Sequence, residues 1–304
     1  MTLPKMAVLL VGPTAQRLYM QGYLRDLSGS IVAPREIFID YDAGNLSTSE
    51  FGEAVHFDLT YLCGFRGEDE QLVRFGEYLA TVDLAVIVVL DGHIPYRAIT
   101  EKIGAYCRHG GAVSVALVVN SKEDNSREEH ALVLLNAISP AYIDASIVIA
   151  NDLIITALSD EQLNKLSTKY PSRKIEAVIH FFRRLLSAPS LLASDTEDIK
   201  ACFRKAGQTS FANAKGSNAD RTEKTVKKIL SKLEVPNNSS VARALVVTVE
   251  TAPCGLQSSD IKNVMATLRA QSWIVDETII IANAAYDKNL KLSEMRLYVA
   301  VTWA

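Results

Sequence analysis

Five histidines, four cysteines and two serines near helix starts are the first side chains on which chemistry could rest. His56, His93, His109, His130 and His180 show neither H-x-x-x-H nor H-E-x-x-H spacing, so no helix face gathers two imidazoles and no metal site is expected. His93 is the best-placed candidate for catalysis, yet the sequence sets no partner carboxylate beside it. Cys63, Cys107, Cys202 and Cys254 form no C-x-x-C pair, which leaves scattered, buried, reduced thiols as the expectation. Ser159 and Ser190 lack the strand–turn–helix context of a nucleophile elbow. The string Gly12-Pro13-Thr14 after an apolar run has one glycine where a dinucleotide fingerprint needs three. Phe181 and Phe182 are expected in the core, and Arg183-Arg184 at solvent or against a second domain.

The elements that must position these residues alternate. Apolar runs at Met6–Val11, Glu36–Tyr41, Leu84–Leu90, Val113–Asn120 and Ala145–Ala150 have the length and composition of buried strands. Helical patterns fall at Gln16–Asp26, Glu70–Thr81, Tyr96–His109 and Ser126–Ile138. Strand–helix alternation of this kind predicts an open, mostly parallel sheet over roughly residues 1–160. Ser172–Leu186 reads as one helix with a single apolar stripe, Ile175, Val178, Ile179, Phe182, Leu185 and Leu186. Beyond it, helices at Thr196–Ala206 and Asp220–Leu233, a strand at Ala242–Glu250, a helix at Ser258–Gln271 and strands at Glu277–Asn283 and Glu294–Thr302 predict a smaller α+β domain. The mixed-sign runs Ser121–His130 and Thr222–Lys232 read as solvated helix faces.

Composition narrows the function classes. The 304 residues are 48% hydrophobic and 22% charged, ordinary for a globular chain and long enough for two domains. A net charge of -3 from 32 basic and 35 acidic residues argues against a nucleic-acid-coating protein. The apolar run at the N-terminus is too short to span a bilayer and lacks a cleavage signal, so a cytoplasmic protein is expected.

Five strings, Asn151–Ile155, Pro189–Ile199, Asp220-Arg221, Ala242–Val247 and Met295–Val301, in this order and spacing, resemble the tubulin/FtsZ family of self-assembling GTPases. Asn151-Asp152-Leu153-Ile154-Ile155 is similar to the family's Asn-Asp-Arg-Leu-Leu. The run Pro189 to Ile199 aligns without gaps to Pro-Gly-Leu-Ile-Asn-Val-Asp-Phe-Ala-Asp-Val. Asp220-Arg221 falls on a Glu-Asp-Arg helix start, and Ala242-Arg243-Ala244-Leu245-Val246-Val247 on an Ala-Arg-Gly-Val-Leu-Val strand. Met295 to Val301 matches the last strand. The resemblance is strongest over residues 145–304 and implies an α/β, FtsZ/tubulin-like architecture. That means a Rossmann-like domain at 1–170, a central connecting helix at 171–188 and a C-terminal α+β domain at 189–304.

The departures from the family fall on its nucleotide contacts. Its glycine-rich phosphate loop corresponds to Gly92-His93-Ile94-Pro95-Tyr96-Arg97-Ala98, where only Gly92 remains. A phosphate cradle needs successive backbone N–H groups and close approach, which β-branched Ile94 and N–H-less Pro95 oppose. The first glycine loop corresponds to Val11 to Gln16, with Gly12 alone. The guanine-facing Asp falls on Arg173, which cannot accept hydrogen bonds from the base. Ile37 to Ala43, with Asp42, keeps the look of the family's Ala-Ile-Asn-Thr-Asp-Ala strand end. Of the acidic loop Asn-x-Asp-x-x-Asp, which polarises the attacking water across the subunit interface, Asp195 and Asp198 persist. They read equally as a helix N-cap and a first-turn acid.

These readings lead to a pseudo-GTPase expectation. The chain is expected to bind no cofactor and to associate longitudinally with itself, or with another FtsZ-like protein, without nucleotide. Arg97 and Arg173 on one surface are expected to face Asp195 and Asp198 on the next subunit. The alternatives are a divergent polymerising GTPase that still binds and hydrolyses GTP, and a monomeric binding module reusing the old cleft. With no adaptor peptide after Trp303-Ala304, no direct membrane binding is expected.

Overall fold

The structure, a computed structural model, describes residues 5–13, 15–16, 35–46, 53–64, 67–89, 94–121, 142–151, 169–186, 195–236 and 240–304. It divides into two compact units, residues 1–180 and 181–304. The dividing point falls inside one long helix.

In the first unit, strands β1 (Met6–Val11), β2 (Arg35–Asp40), β3 (Glu53–His56), β4 (Leu84–Val89), β5 (Val113–Ser121) and β6 (Ala145–Asn151) lie in the order β3-β2-β1-β4-β5-β6, every pair parallel. All six residues of β1 and of β4 are buried, as expected of strands covered on both faces. Helices α1 (Ala43–Leu46), α2 (Leu59–Leu62), α3 (Glu70–Leu79) and α4 (Ile94–Gly110) follow the strands. Leu72, Phe75 and Leu79 of α3 and Ile99, Ile103 and Cys107 of α4 share one core with Leu9, Ile39 and Ile87 of the sheet. Burying each such side chain stabilises the unit by about 1.5–3 kcal/mol. Helix α5 (Lys169–Leu186) starts three residues before the predicted Ser172. The helices predicted at Gln16–Asp26, beyond Gln16, and at Ser126–Ile138 lie outside the described residues.

In the second unit, β7 (Gly207–Ser217), β8 (Ala242–Thr251), β9 (Ile279–Tyr286) and β10 (Glu294–Trp303) form the order β7-β10-β8-β9. Strand β10 is antiparallel to both its neighbours, and β8 and β9 are parallel. Helices α6 (Thr196–Phe203), α7 (Arg221–Leu230) and α8 (Ser258–Arg269) complete it. One sheet face packs Val247, Val249, Leu297 and Val299 against Val226, Ile229, Val264 and Leu268. On the aromatic side, Phe181 meets Phe211 at 5.5 Å and Tyr298 at 6.3 Å, and Phe182 meets Phe203 at 5.0 Å. Both phenylalanines of α5 are fully buried, as expected.

Two expectations need correction. The order helix–helix–strand omits β7, an eleven-residue strand between α6 and α7. Its sequence, GQTSFANAKGS, carries a single β-branched residue, and its small side chains serve close packing instead. At Gly216 a Cβ would lie 2.0 Å from the Thr225 hydroxyl oxygen and 2.7 Å from Arg221 O, so only glycine lets β7 approach α7. The cysteines are not all buried: Cys107 and Cys202 are, Cys63 and Cys254 are exposed. Of the two placements expected for Arg183-Arg184, the structure shows the one against the second domain: Arg183 is buried, and Arg184 donates from Nε to the fully buried Glu250 of β8 at 2.8 Å.

Candidate functional site

The parallel sheet of the first unit brings the C-terminal ends of β1 and β2 together with the start of α4. The chain leaves β1 at Gly12, whose φ of +85° favours glycine. Its N–H donates to Ile39 O at 2.9 Å, tying the turn to the end of β2. Gln16, four residues on, is buried, and its side-chain Nε2 has no hydrogen-bond partner among the described residues. A buried amide nitrogen without an acceptor is costly, about 1–3 kcal/mol.

At the end of β2, Asp40 is fully buried. One of its oxygens accepts the Asp42 N–H at 3.0 Å, which fixes the turn into α1 and leaves the Asp42 side chain exposed. The same oxygen accepts the Tyr96 hydroxyl at 3.3 Å. Tyr96 is itself buried, with its ring 5.1 Å from that of Tyr41. The Tyr41 carbonyl in turn meets His56 Nε2 at 2.9 Å. Thus Asp40, Tyr41, Tyr96 and His56 form one polar-aromatic cluster across three elements 15 to 56 residues apart.

The positions that the resemblance assigns to the phosphate loop behave as a helix start. From Ile94 onward they belong to α4, with Ile94 83% exposed and Tyr96 turned into the core. Arg97 makes an ion pair within its own helix, from Nε to Glu101 at 3.1 Å. Gly92 and His93 lie outside the described residues. Arg173 stands exposed on the first turns of α5.

In the second unit, Asp195 is the N-cap of α6, its carboxylate accepting the Glu197 N–H at 3.1 Å. Asp198 is exposed in the first turn of the same helix. Both therefore meet the local requirements of a helix start, and Asp198 keeps its carboxylate toward solvent. Thiol chemistry is not favoured at the buried cysteines. Burial, with the Asp198 charge second, pushes the Cys202 thiol up to about 11, and burial with Asp144 pushes Cys107 up to about 12. Among the described residues, no three His, Cys, Asp or Glu side chains gather as a metal site, and no helix is long and apolar enough to cross a membrane.

A six-stranded parallel sheet, a long helix after it and a mixed four-stranded sheet beyond have close counterparts among solved structures. FtsZ of M. jannaschii, as a W319Y mutant, superposes with a TM-score of 0.73 at 18% identity, covering 99% of this chain and 91% of that one. The fold is that of tubulin and FtsZ. CetZ from Methanosaeta thermophila matches with a TM-score of 0.72 at 14% identity over 99% of this chain and 86% of its own. TubZ of Bacillus thuringiensis serovar israelensis, solved as GDP-form protofilaments, matches at 0.65 and 11% identity over 98% and 88%. No protein-family model and no curated protein matches the sequence. In this FtsZ/tubulin-like chain, Gln16, Asp40 and Tyr96 lie inside sequence strings that correspond to the family's glycine loops and strand end, but no role follows for them from the sequence. Their partnership is a product of the sheet order and has no local sequence signal; only the tyrosine inside a glycine-loop position pointed to it.

Proposed function

We infer that this chain is a self-assembling FtsZ/tubulin-like protein whose subunits associate without a nucleoside triphosphate. The observation that carries this reading is Tyr96. A buried aromatic ring and its hydroxyl, bonded to a buried carboxylate, stand among positions where a phosphate-binding loop would offer bare backbone N–H groups. Support for self-association comes from the fold: FtsZ in the comparison set was solved as a dimer and TubZ as protofilaments. Longitudinal contact in this reading uses Arg97 and Arg173 on one subunit against Asp195 and Asp198 on the next. Another FtsZ-like protein is the other partner the reading allows.

A second reading, a divergent GTP-binding polymer, draws on one observation of its own. Gln16 Nε2, beside the Gly12 turn and without an acceptor among the described residues, is a donor that a bound acceptor would satisfy. Equilibrium binding of GTP, phosphate release, and electron microscopy with and without nucleotide separate the two. Filaments or oligomers formed equally with and without GTP, with no binding and no release, are the expected result. Saturable GTP binding, or assembly that requires it, overturns the nucleotide-independent reading.

A further inference from the structure

Among the described residues, strand β3 ends the sheet of the first unit, and its outer edge is bonded to a side chain instead of a strand. Phe57 N–H donates to Asp40 O at 2.9 Å, and β2 pairs with β3 in the register Ile39 to Val55. Backbone groups alternate along a strand, so odd-numbered residues of β3 turn toward β2 and Ala54 and His56 turn outward. There the Gln71 side chain, on the first turn of α3, takes both directions of bonding. Its Nε2 donates to Ala54 O at 3.0 Å, and its Oε1 accepts His56 N–H at 3.3 Å. A neighbouring parallel strand would use that same pair, one carbonyl and the N–H two residues on. Beside them lies an open groove of about 450 Å³ lined by Glu53, Ala54, Val55, Gln71, Arg74 and Phe75.

We propose that the Gln71 amide is a latch that closes the β3 edge against strand pairing with a second copy of this chain. The edge is self-complementary. In antiparallel pairing about a two-fold axis at Val55, Ala54 of one copy faces His56 of the other, and the two exchange both backbone bonds. The only charge in β3, Glu53, then falls opposite Phe57, so no like charges meet. Exposed strand edges are templates for such addition, and here an amide occupies the template within the monomer.

The test is amide hydrogen exchange at His56 in the full chain, followed against protein concentration. Gln71 is exposed, so Gln71→Ala removes the latch without opening the core. In dilute Gln71→Ala, the His56 amide is expected to exchange roughly five- to tenfold faster than in wild type, the factor for one net hydrogen bond. Raising the concentration is expected to restore its protection as edges pair. Adding Ala54→Pro is expected to abolish that restored protection, since this outward N–H is where an edge strand tolerates proline. Unchanged exchange in Gln71→Ala overturns the latch. Faster exchange that concentration never slows, or that slows equally with Ala54→Pro present, overturns the pairing. The readout is local to β3, so these outcomes do not depend on whether the chain also assembles end to end.

Discussion

Arg221 offers the sharpest test of what holds the second unit together. Its guanidinium is almost wholly buried and donates to three acceptors: Leu292 O at 2.7 Å, Gly255 O at 2.6 Å and Asp260 Oδ2 at 2.6 Å. Asp260 also accepts the Thr222 hydroxyl at 2.7 Å and the Gln257 N–H at 3.0 Å. One arginine thereby joins the starts of α7 and α8 to the turn before β10. Arg221→Met leaves a buried carboxylate and two carbonyls without their donor, which costs about 3–5 kcal/mol. With a urea m-value of about 2 kcal/mol/M, the midpoint falls by roughly 2 M. The chain has two tryptophans, Trp273 and Trp303, packed edge to face at 5.6 Å in this same unit. Their fluorescence therefore reports its unfolding without contribution from the first unit. The double variant Arg221→Met/Asp260→Leu is expected to lose less than the single variant, because no buried charge is stranded. A loss under about 1 kcal/mol in Arg221→Met, or a double variant worse than the single, refutes the role given to the pair.

The same pair sets an acid limit. Burial raises the Asp260 pKa, but the bonds from Arg221 and Thr222 outweigh it and hold the carboxyl below its usual range. Its contribution is thus present above the unfolded value of about 3.9 and is lost as pH falls through the lower folded value; Asp260→Asn should flatten that acid limb of tryptophan-monitored stability. Asp195→Ala removes the cap of α6 and is expected to cost about 1 kcal/mol in urea unfolding, with Asp195→Asn close to wild type. For assembly, Arg173→Asp should abolish self-association in sedimentation velocity and Asp198→Arg should partly restore it; assembly of the single variant at wild-type strength would make the arginine a bystander. Arg97→Asp should act in the same direction, while the loss of its exposed Glu101 pair costs the monomer under about 1 kcal/mol.

The parts of the fold visible in the sequence were those governed by burial. β1, MAVLLV, and β4, LAVIVV, announce themselves because strands covered on both faces must be continuously apolar. The stripe of α5 was equally plain: Phe182 sits where periodicity put it, and Phe181, outside the stripe, is buried as well. β7 was not legible, since its strand character is imposed by nine register pairs with β10 and by the Gly216 contact, not by propensity. β3 is four residues long and offers no periodicity to read. At the candidate site, the loss of glycines was legible, but the use made of the space was not. Asp40 and Tyr96 are 56 residues apart, and only the parallel order β2-β1-β4 makes them neighbours. Asp195 was legible as the cap of α6, which the structure shows; its interface role belongs to the proposed function.

The arginines of this chain separate fold from function on physical grounds. Arg184, Arg221 and Arg296 each meet a carboxylate at or near zero exposure: Glu250 for the first and third, Asp260 for the second. Arg296 also reaches Asp287 at 3.1 Å. Such pairs are bound to the packing, since removing either member strands a buried charge. Among the described residues, Arg97 and Arg173 have no comparable anchor. One makes a half-exposed pair within its own helix and the other is exposed. Replacing either costs the monomer little, so folding does not explain their presence. A guanidinium whose side chain is only partly buried in the monomer gains most from a carboxylate supplied by a partner, where desolvation on contact strengthens the pair. Tyr96 follows the opposite logic. Its ring stabilises the first unit by burial and its hydroxyl donates to Asp40, so the position that the resemblance assigns to the phosphate loop contributes to stability within the chain itself. Under the reading proposed above, Tyr96 serves the core, and the exposed charges of Arg97 and Arg173 are the ones that serve assembly.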